Sequence, residues 1–244
     1  MKTSSNLPNP AWHKKEIIMK TKCSRITGIA GMLLWILILS GCAANLYSIN
    51  MYYDAEKAVI PAYLQVKGKA SAAVAVAEFT DVRQIEDRLV IGRVVKSNGS
   101  KSLVFPKSVP PTKTIAHGIK NYLRKAGYSV ADKLETWNVK EGNIPSGDAK
   151  LLIGGSIEEL DIQCRKGSLT NSYTGNVRLN VVLADMAHGK ILHRSQVEST
   201  YSREYPLFSE NILGEQADIV LADAIEKLFE DKAVAQKIKE ALAE

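Results

Sequence analysis

The chain has 244 residues, with 32 lysines and arginines against 26 aspartates and glutamates, a formal charge of +6 at neutral pH. Six of the basic residues (Lys2, Lys14, Lys15, Lys20, Lys22 and Arg25) lie in the first 41 positions against the single acid Glu16, so this stretch carries +5 of the excess. The remaining 203 residues are close to neutral, which excludes the basic footprint of a nucleic-acid binder.

The first element is a leader. Lys20, Lys22 and Arg25 precede an apolar run over residues 26–39, followed by small residues, the three-part layout of an export signal. A run of 14 residues is shorter than the ~20 needed to cross a bilayer as a helix. It closes on Leu39-Ser40-Gly41-Cys42, which resembles the lipobox of bacterial lipoproteins. That resemblance implies cleavage between Gly41 and Cys42, with a diacylglycerol thioether and an N-acyl chain on Cys42. No other cofactor is expected. Two or three acyl chains make a lasting anchor where one does not. Ala43, rather than an aspartate, follows the cysteine, which in such proteins implies the outer membrane, facing the periplasm. Residues 1–18 sit poorly ahead of such a signal, and Met19 begins a leader of ordinary length.

Residues 42–70 are read as the lipidated N-terminus and a tether, with one short helix near residues 54–59. Tyr47, Tyr52, Tyr53 and Tyr63 stand out there, suited to a membrane interface, to the domain or to a partner. A single periplasmic domain is expected over residues 71–244. It starts with a small and apolar strand over residues 72–79, then a polar turn with Thr80, Asp81 and Arg83. Apolar runs at residues 89–95 and 103–105 flank Ser97-Asn98-Gly99-Ser100, a hairpin signal. Pro110-Pro111 opens a helix whose stripe is Ile115, Ile119, Tyr122, Leu123 and Ala126, stopped by Gly127. A short strand at residues 128–130 and a Gly/Pro-containing loop at residues 138–148 follow.

Strands are then expected at residues 151–164, around Val177, Leu179, Val181 and Leu183, and at residues 191–201, the last two joined by a hairpin at residues 186–190. Ser209 caps a second helix, with the stripe Leu213, Ala217, Val220, Leu221, Ala224 and Leu228, and a short third helix spans about residues 233–242. This order predicts an α+β fold, a largely antiparallel sheet with two main helices packed on one face.

Chemistry-bearing motifs are sparse. Beyond Cys42 the only thiol is Cys164, so no internal disulfide can form; its alternation with Leu160 and Ile162 places it on the apolar face, as a core cysteine rather than a nucleophile. His117 falls off its helix stripe. His188 and His193 flank a turn but lack companions at ligand spacing other than Asp185, so no metal site is expected. Gly154-Gly155 lacks the rest of a phosphate loop and reads as a bulge or close contact in a strand. Glu158, Glu159 and Asp161 read as a solvated strand side. No catalytic constellation is assembled, and an enzyme is not expected. The outward sheet face over residues 170–205 is expected to be rich in Tyr, Asn and Arg, the composition of a binding surface. Its candidate recognition residues are Tyr173, Arg178, Asn180, Arg194, Tyr201 and Arg203.

Several stretches together resemble the YajG-type lipoproteins: Phe79-Thr80-Asp81-Val82-Arg83 after the small-residue strand, Lys125-Ala126-Gly127-Tyr128 ending the helix, Leu-Leu-Ile-Gly-Gly-Ser-Ile-Glu-Glu-Leu over residues 151–160, Asn176-Val177-Arg178-Leu179, and the closing helix at residues 217–228. The likeness covers about residues 72–242. More distantly the chain is similar to auxiliary lipoproteins of envelope ABC transporters and to the curli-secretion lipoproteins. The resemblance implies an outer-membrane lipoprotein with no catalytic residues to carry over. The expected function is a non-enzymatic, lipid-anchored binding or adaptor module in envelope assembly or transport, with an envelope protein as partner. The alternative is a structural, homo-oligomeric subunit of a secretion or surface-appendage complex, which an exposed apolar edge in the hairpin at residues 89–105 would favour.

Overall fold

The structure, a computed structural model, describes residues 46–66 and 73–243. The expected signal peptide over residues 1–41, with Gly41 and Cys42 at its expected cleavage site, lies outside the described residues. Strands are β1 (Tyr47–Ile49), β2 (Ala73–Ala77), β3 (Thr80–Asp81), β4 (Gly92–Val95), β5 (Lys101–Pro106), β6 (Ser129–Glu135), β7 (Leu151–Lys166), β8 (Asn171–Asp185) and β9 (Lys190–Tyr205). Helices are α1 (Pro111–Lys125), α2 (Glu210–Glu230) and α3 (Lys232–Ala243).

The long strand β7 organises the sheet. Along one edge it pairs antiparallel with β8 over its whole length, and β8 pairs likewise with β9. Its other edge is shared in sequence by β2, β3 and β4, all parallel to it, with β6 beside β2 and β5 and β1 beyond β4. The sheet is thus the largely antiparallel α+β sheet expected, and the parallel joins are carried by short strands. The hairpin of β4 and β5 turns at Gly99, with φ +82°, but it lies inside the sheet. β7 covers β4, and β1 covers β5 from Val104 to Pro106, so of the apolar hairpin edge considered from the sequence the described residues leave only residues 101–103 unpaired on the outer side.

Local signals account for the helices. Pro111 sits in the first turn of α1, where no amide partner is lost. At its other end Gly127, with φ +94°, closes a Schellman motif: its N–H donates to the Arg124 carbonyl and that of Tyr128 to the Leu123 carbonyl. The Ser209 hydroxyl accepts the Asn211 N–H at the start of α2. Apolar stripes of α1, α2 and α3 then bury Ile115, Ile119, Leu123, Val220, Leu228 and Ile238 against Ile153, Val177, Leu179 and Val181 of the sheet, each such side chain contributing about 1.5–3 kcal/mol. Tyr122 and Phe229 stack between α1 and α2 at 4.5 Å.

Residues 46–66, expected within the tether, are instead a strap packed on this domain. β1 adds to β5, and Ile49, Met51, Tyr53 and Leu64 are buried. The strap crosses both main helices: the Tyr52 N–H donates to Asp218 Oδ1 at 2.7 Å, the Tyr63 hydroxyl to the Glu230 carbonyl at 2.7 Å, and the Val66 N–H to the Ala126 carbonyl at 2.9 Å. Lys125 Nζ donates to the Ala58 carbonyl at 2.8 Å. Ile49, Met51 and Tyr53 alternate inward as in a strand. Three of the four tyrosines thus have partners on the domain: Tyr53 in the core, Tyr63 on α2 and Tyr47 edge-on to Phe208 at 5.1 Å.

Among the described residues the opposite sheet face is covered at one end only. Trp137 lies over Gly154, where a Cβ would meet the indole at 2.8 Å, and with Leu152, Val182, Ala184 and Met186 it forms a second, smaller core. The Trp137 Nε1–H donates to the Lys140 carbonyl at 2.9 Å, satisfying the indole's one donor.

Candidate functional site

Register divides the six candidate recognition residues between the two faces. β8 alternates from Asn171 to Val181, with odd positions buried and even ones half-exposed, so Tyr173 shares the helix-covered face with Val177 and Leu179. Tyr173 pairs across with Arg203, and Gly175 with Tyr201, which puts all three sequence candidates Tyr173, Tyr201 and Arg203 on that face. Arg178, opposite Glu198, Asn180, opposite Gln196, and Arg194, opposite Val182, lie on the other. The expectation of one face holding all six is corrected accordingly.

The three on the covered face have structural contacts. The Tyr173 hydroxyl accepts the Ser209 N–H at 3.1 Å and donates to the Leu207 carbonyl at 3.3 Å; burial pushes its phenol up to about 12. Arg203 Nη2 donates to the Ile212 carbonyl and to Glu215 Oε2, both at 3.0 Å. The Tyr201 carbonyl accepts from Gln216 Nε2 at 2.6 Å. The bonds of Arg203 and Tyr201 tie β9 to the first turns of α2, and those of Tyr173 tie β8 to the chain that leads into it.

Arg178 and Asn180 lie on an open polar surface, and Arg194 stands exposed where that surface meets the covered end, its Nη2 donating to the Val139 carbonyl at 3.4 Å. Arg178 bridges Glu159 on β7, at 3.0 Å, and Glu198 on β9, at 2.5 Å. Gln196 Nε2 donates to Glu158 Oε2 at 3.3 Å, and Arg93 pairs with Asp161 at 3.2 Å. The cations and carboxylates of neighbouring strands hold one another in fixed positions, leaving amides such as Asn180 and Asn176 between them. Such exposed pairs contribute little to stability, about 0–1 kcal/mol each.

This surface runs into a concavity of about 410 Å³ bounded by Ile85, Leu103, Arg93, Glu158 and Asp161. Its wall is the loop at residues 82–90, fixed by Arg83. β7 bulges between Ile157 and Glu159, between the reach of β3 and that of β4, and the Arg83 guanidinium lies against the strand at this gap. Arg83 Nη1 donates to the Leu160 carbonyl at 3.1 Å and the Val90 carbonyl at 2.8 Å, Nη2 to the Arg88 carbonyl at 2.6 Å, and Asp81 receives it from both Nε and Nη2. Arg83 is almost fully buried, and this set of partners offsets the cost of burying its charge. The sequence shows Asp81 and Arg83 only as turn residues; that a strand gap needs filling follows from pairing alone. Ile85 and Leu103 stay exposed at the rim.

Among the other residues singled out from sequence, Cys164 is buried in the core, and burial pushes its thiol up, against smaller lowering influences from Tyr173 and Lys166. His188 Nδ1 is held by Asp185 Oδ2 at 2.7 Å, whereas His193 pairs opposite Leu183. Among the described residues no group of three or more His, Cys, Asp or Glu side chains could hold a metal ion. Gly154 and Gly155 are strand residues under close contact, the latter against the Phe79 ring. Among the described residues no helix is long and apolar enough to cross a membrane.

No family model matches the chain, and no curated protein matches it. Among solved structures the chain is similar to protein XCC0632 from Xanthomonas campestris, of family model DUF330, at 13% identity over 80% of this chain and 99% of that one, with a TM-score of 0.49. It is also similar to lipoprotein GNA1162 from Neisseria meningitidis, at 13% identity over 62% of this chain and 96% of that one, TM-score 0.32. A third is the PelC dodecamer from Paraburkholderia phytofirmans, at 17% identity over 66% of this chain and 94% of that one, TM-score 0.31. At these values no activity passes from those proteins to this one, and the YajG-type resemblance stays one of sequence pattern.

Proposed function

We propose that the chain is a lipid-anchored protein of the cell envelope, held at the outer membrane through Cys42 and facing the periplasm, where it acts as a non-enzymatic binding or adaptor module. The observation that carries this reading is the polar surface around Arg178. It is wide, uncovered by the helices, and ordered by ion pairs between Arg178, Glu159 and Glu198, and it leads into a concavity with an apolar rim at Ile85 and Leu103. Preformed hydrogen-bonding groups beside a small apolar step suit recognition of another protein's surface. Photo-crosslinkers placed at Asn180 and Arg194 in intact cells test it. One envelope protein captured at both positions, and lost on Arg178→Glu, is the expected result; capture no different from that at His188, beyond the covered end of the sheet, overturns it.

A second reading, a self-assembling subunit, is favoured by β9. Among the described residues this 16-residue strand pairs only with β8, and an edge of that length is a template for strand addition. Crosslinks from β9 to a second copy of the chain would select it.

A further inference from the structure

The end of the sheet where β1 enters gathers exposed leucines and cations. β1 starts on the side of the end where Val95 meets Lys101 and Arg165 and runs away from it, Tyr47 lying opposite Val104 and Ile49 opposite Pro106, so that Leu46 lies toward this end. The turn between β7 and β8 and the chain leaving β9 are at the same end, since Lys166 pairs with Asn171 and Asn171 with Tyr205. Direct contacts join the three segments: Phe208 packs edge-on to Tyr47 at 5.1 Å and carries Lys166 Nζ over its ring at 3.8 Å. Three leucines project here with almost nothing over them: Leu169 is 87% exposed, Leu207 78% and Leu46 61%.

Their exposure does not come from slack chain. The turn holding Leu169 is closed by the Gly167 N–H to the Thr170 carbonyl at 3.0 Å. The Leu207 carbonyl is gripped by the Tyr173 hydroxyl, and the neighbouring Pro206 carbonyl accepts from Asn171 Nδ2 at 3.2 Å. The fold therefore holds apolar side chains outward at a considerable cost in hydration. Around them stand Lys96, Lys101, Arg165 and Lys166 against the acids Glu204 and Glu210, a basic balance suited to an anionic lipid surface.

The length of the connection names the occupant. Only Ala43, Ala44 and Asn45 separate Cys42 from Leu46, a span of roughly 14 Å when fully extended. A domain anchored through so short a link keeps the end that carries Leu46 close to the bilayer. We propose that the tip formed by Leu46, Leu169 and Leu207 is a membrane-docking site, the leucines entering the boundary between headgroups and acyl chains while Lys166 and Arg165 meet lipid phosphates. Interfacial groups commonly bury apolar side chains to about this depth with cations at the phosphate level. Acyl anchoring then sets a definite orientation rather than a loose leash.

This inference rests on the proposed anchor at Cys42, and the test separates the two. Full-length lipidated protein is placed in vesicles of phosphatidylethanolamine and phosphatidylglycerol, with a fluorophore on a cysteine introduced as Leu169→Cys, Leu207→Cys or, as control, His188→Cys. Cys164 is buried and does not compete for label. Lipid carrying a nitroxide quencher is expected to quench positions 169 and 207 several-fold more than 188. Equal quenching at all three, with Cys42→Ala releasing the protein from cell membranes, overturns the tip alone. Cys42→Ala protein that still fractionates with membranes overturns the anchor; stronger quenching at 169 and 207 then still supports the tip.

Discussion

The two ends of the β7–β9 meander are finished in opposite ways. At the end beside the β8–β9 turn, the face away from the helices is closed by Trp137, which lies on Gly154 and gathers Leu152, Val182 and Met186 into a second core. At the other end the same face is polar, and the terminal turns leave Leu169 and Leu207 bare. One chain that covers apolar residues at one end and displays them at the other is spending its cover selectively; exposure at the tip is a property of the site and not of a sheet too large for its helices.

The sharpest way to break that contrast is to strip the closed end. Trp137→Ala removes the ring from a contact surface that cannot collapse onto Gly154 and should cost about 3–5 kcal/mol, measured as a fall in the denaturation midpoint. Arg83→Met comes next. It leaves Asp81 buried without its partner and the carbonyls of Arg88, Val90 and Leu160 without theirs, for a loss of about 3 kcal/mol, read in the same experiment together with faster proteolysis in the loop at residues 82–90. Ser209→Ala, which removes the cap of α2 beside the tip, should cost about 1 kcal/mol.

A pH effect falls between the ends, in the strap. Burial pushes the carboxyls of Asp218 and Glu226 up from their ordinary range, Glu226 with further raising from Glu230 and Asp223. A carboxylate with a raised folded pKa binds protons more readily folded than unfolded. Its contribution therefore disfavours folding at neutral pH and is relieved as pH falls through the folded pKa toward the unfolded one. Asp218→Asn with Glu226→Gln should flatten the part of the stability profile that lies just above the ordinary carboxylate range, a smaller slope than wild type in denaturation midpoints taken from neutral pH down into that range. The smallest effect belongs to the open end: Leu169→Ser and Leu207→Ser should each leave stability within about 0.5 kcal/mol of wild type. A large loss there would mean that the leucines are buried in the protein and that the contrast between the ends is false.

How much of this could be read in the sequence varied with how local the signal was. The helix stripes, the Ser209 cap, Gly127 and the turn at Asn98-Gly99 are set by neighbours a few residues away, and each element formed where its residues call for it. The inward parity of Tyr173 was also present, in its odd-numbered spacing from Val177 and Leu179, though grouping residues by composition obscured it. β9 offers no such cue, because few of its residues are apolar; the face of Tyr201 and Arg203 depends on register with β8, which the turn geometry determines. The strap resembles tether in sequence because its buried positions Ile49, Met51 and Tyr53 alternate for too short a run to stand out. Trp137 on Gly154 and Arg83 on the Leu160 carbonyl also act across the sheet, on partners no spacing rule connects to them.

The strap also constrains the order in which the molecule can be completed. Tyr52 finds its acceptor on a residue 166 positions later, and Tyr63 on one 167 positions later. Closing loops of this size is entropically expensive and rewarded only at the end. The segment next to the expected lipid attachment point thus leaves the ribosome early and docks late, once α2 exists to receive it. Until then its apolar positions are uncovered, so a partner that shields them between export and folding would shorten the period in which the chain can aggregate.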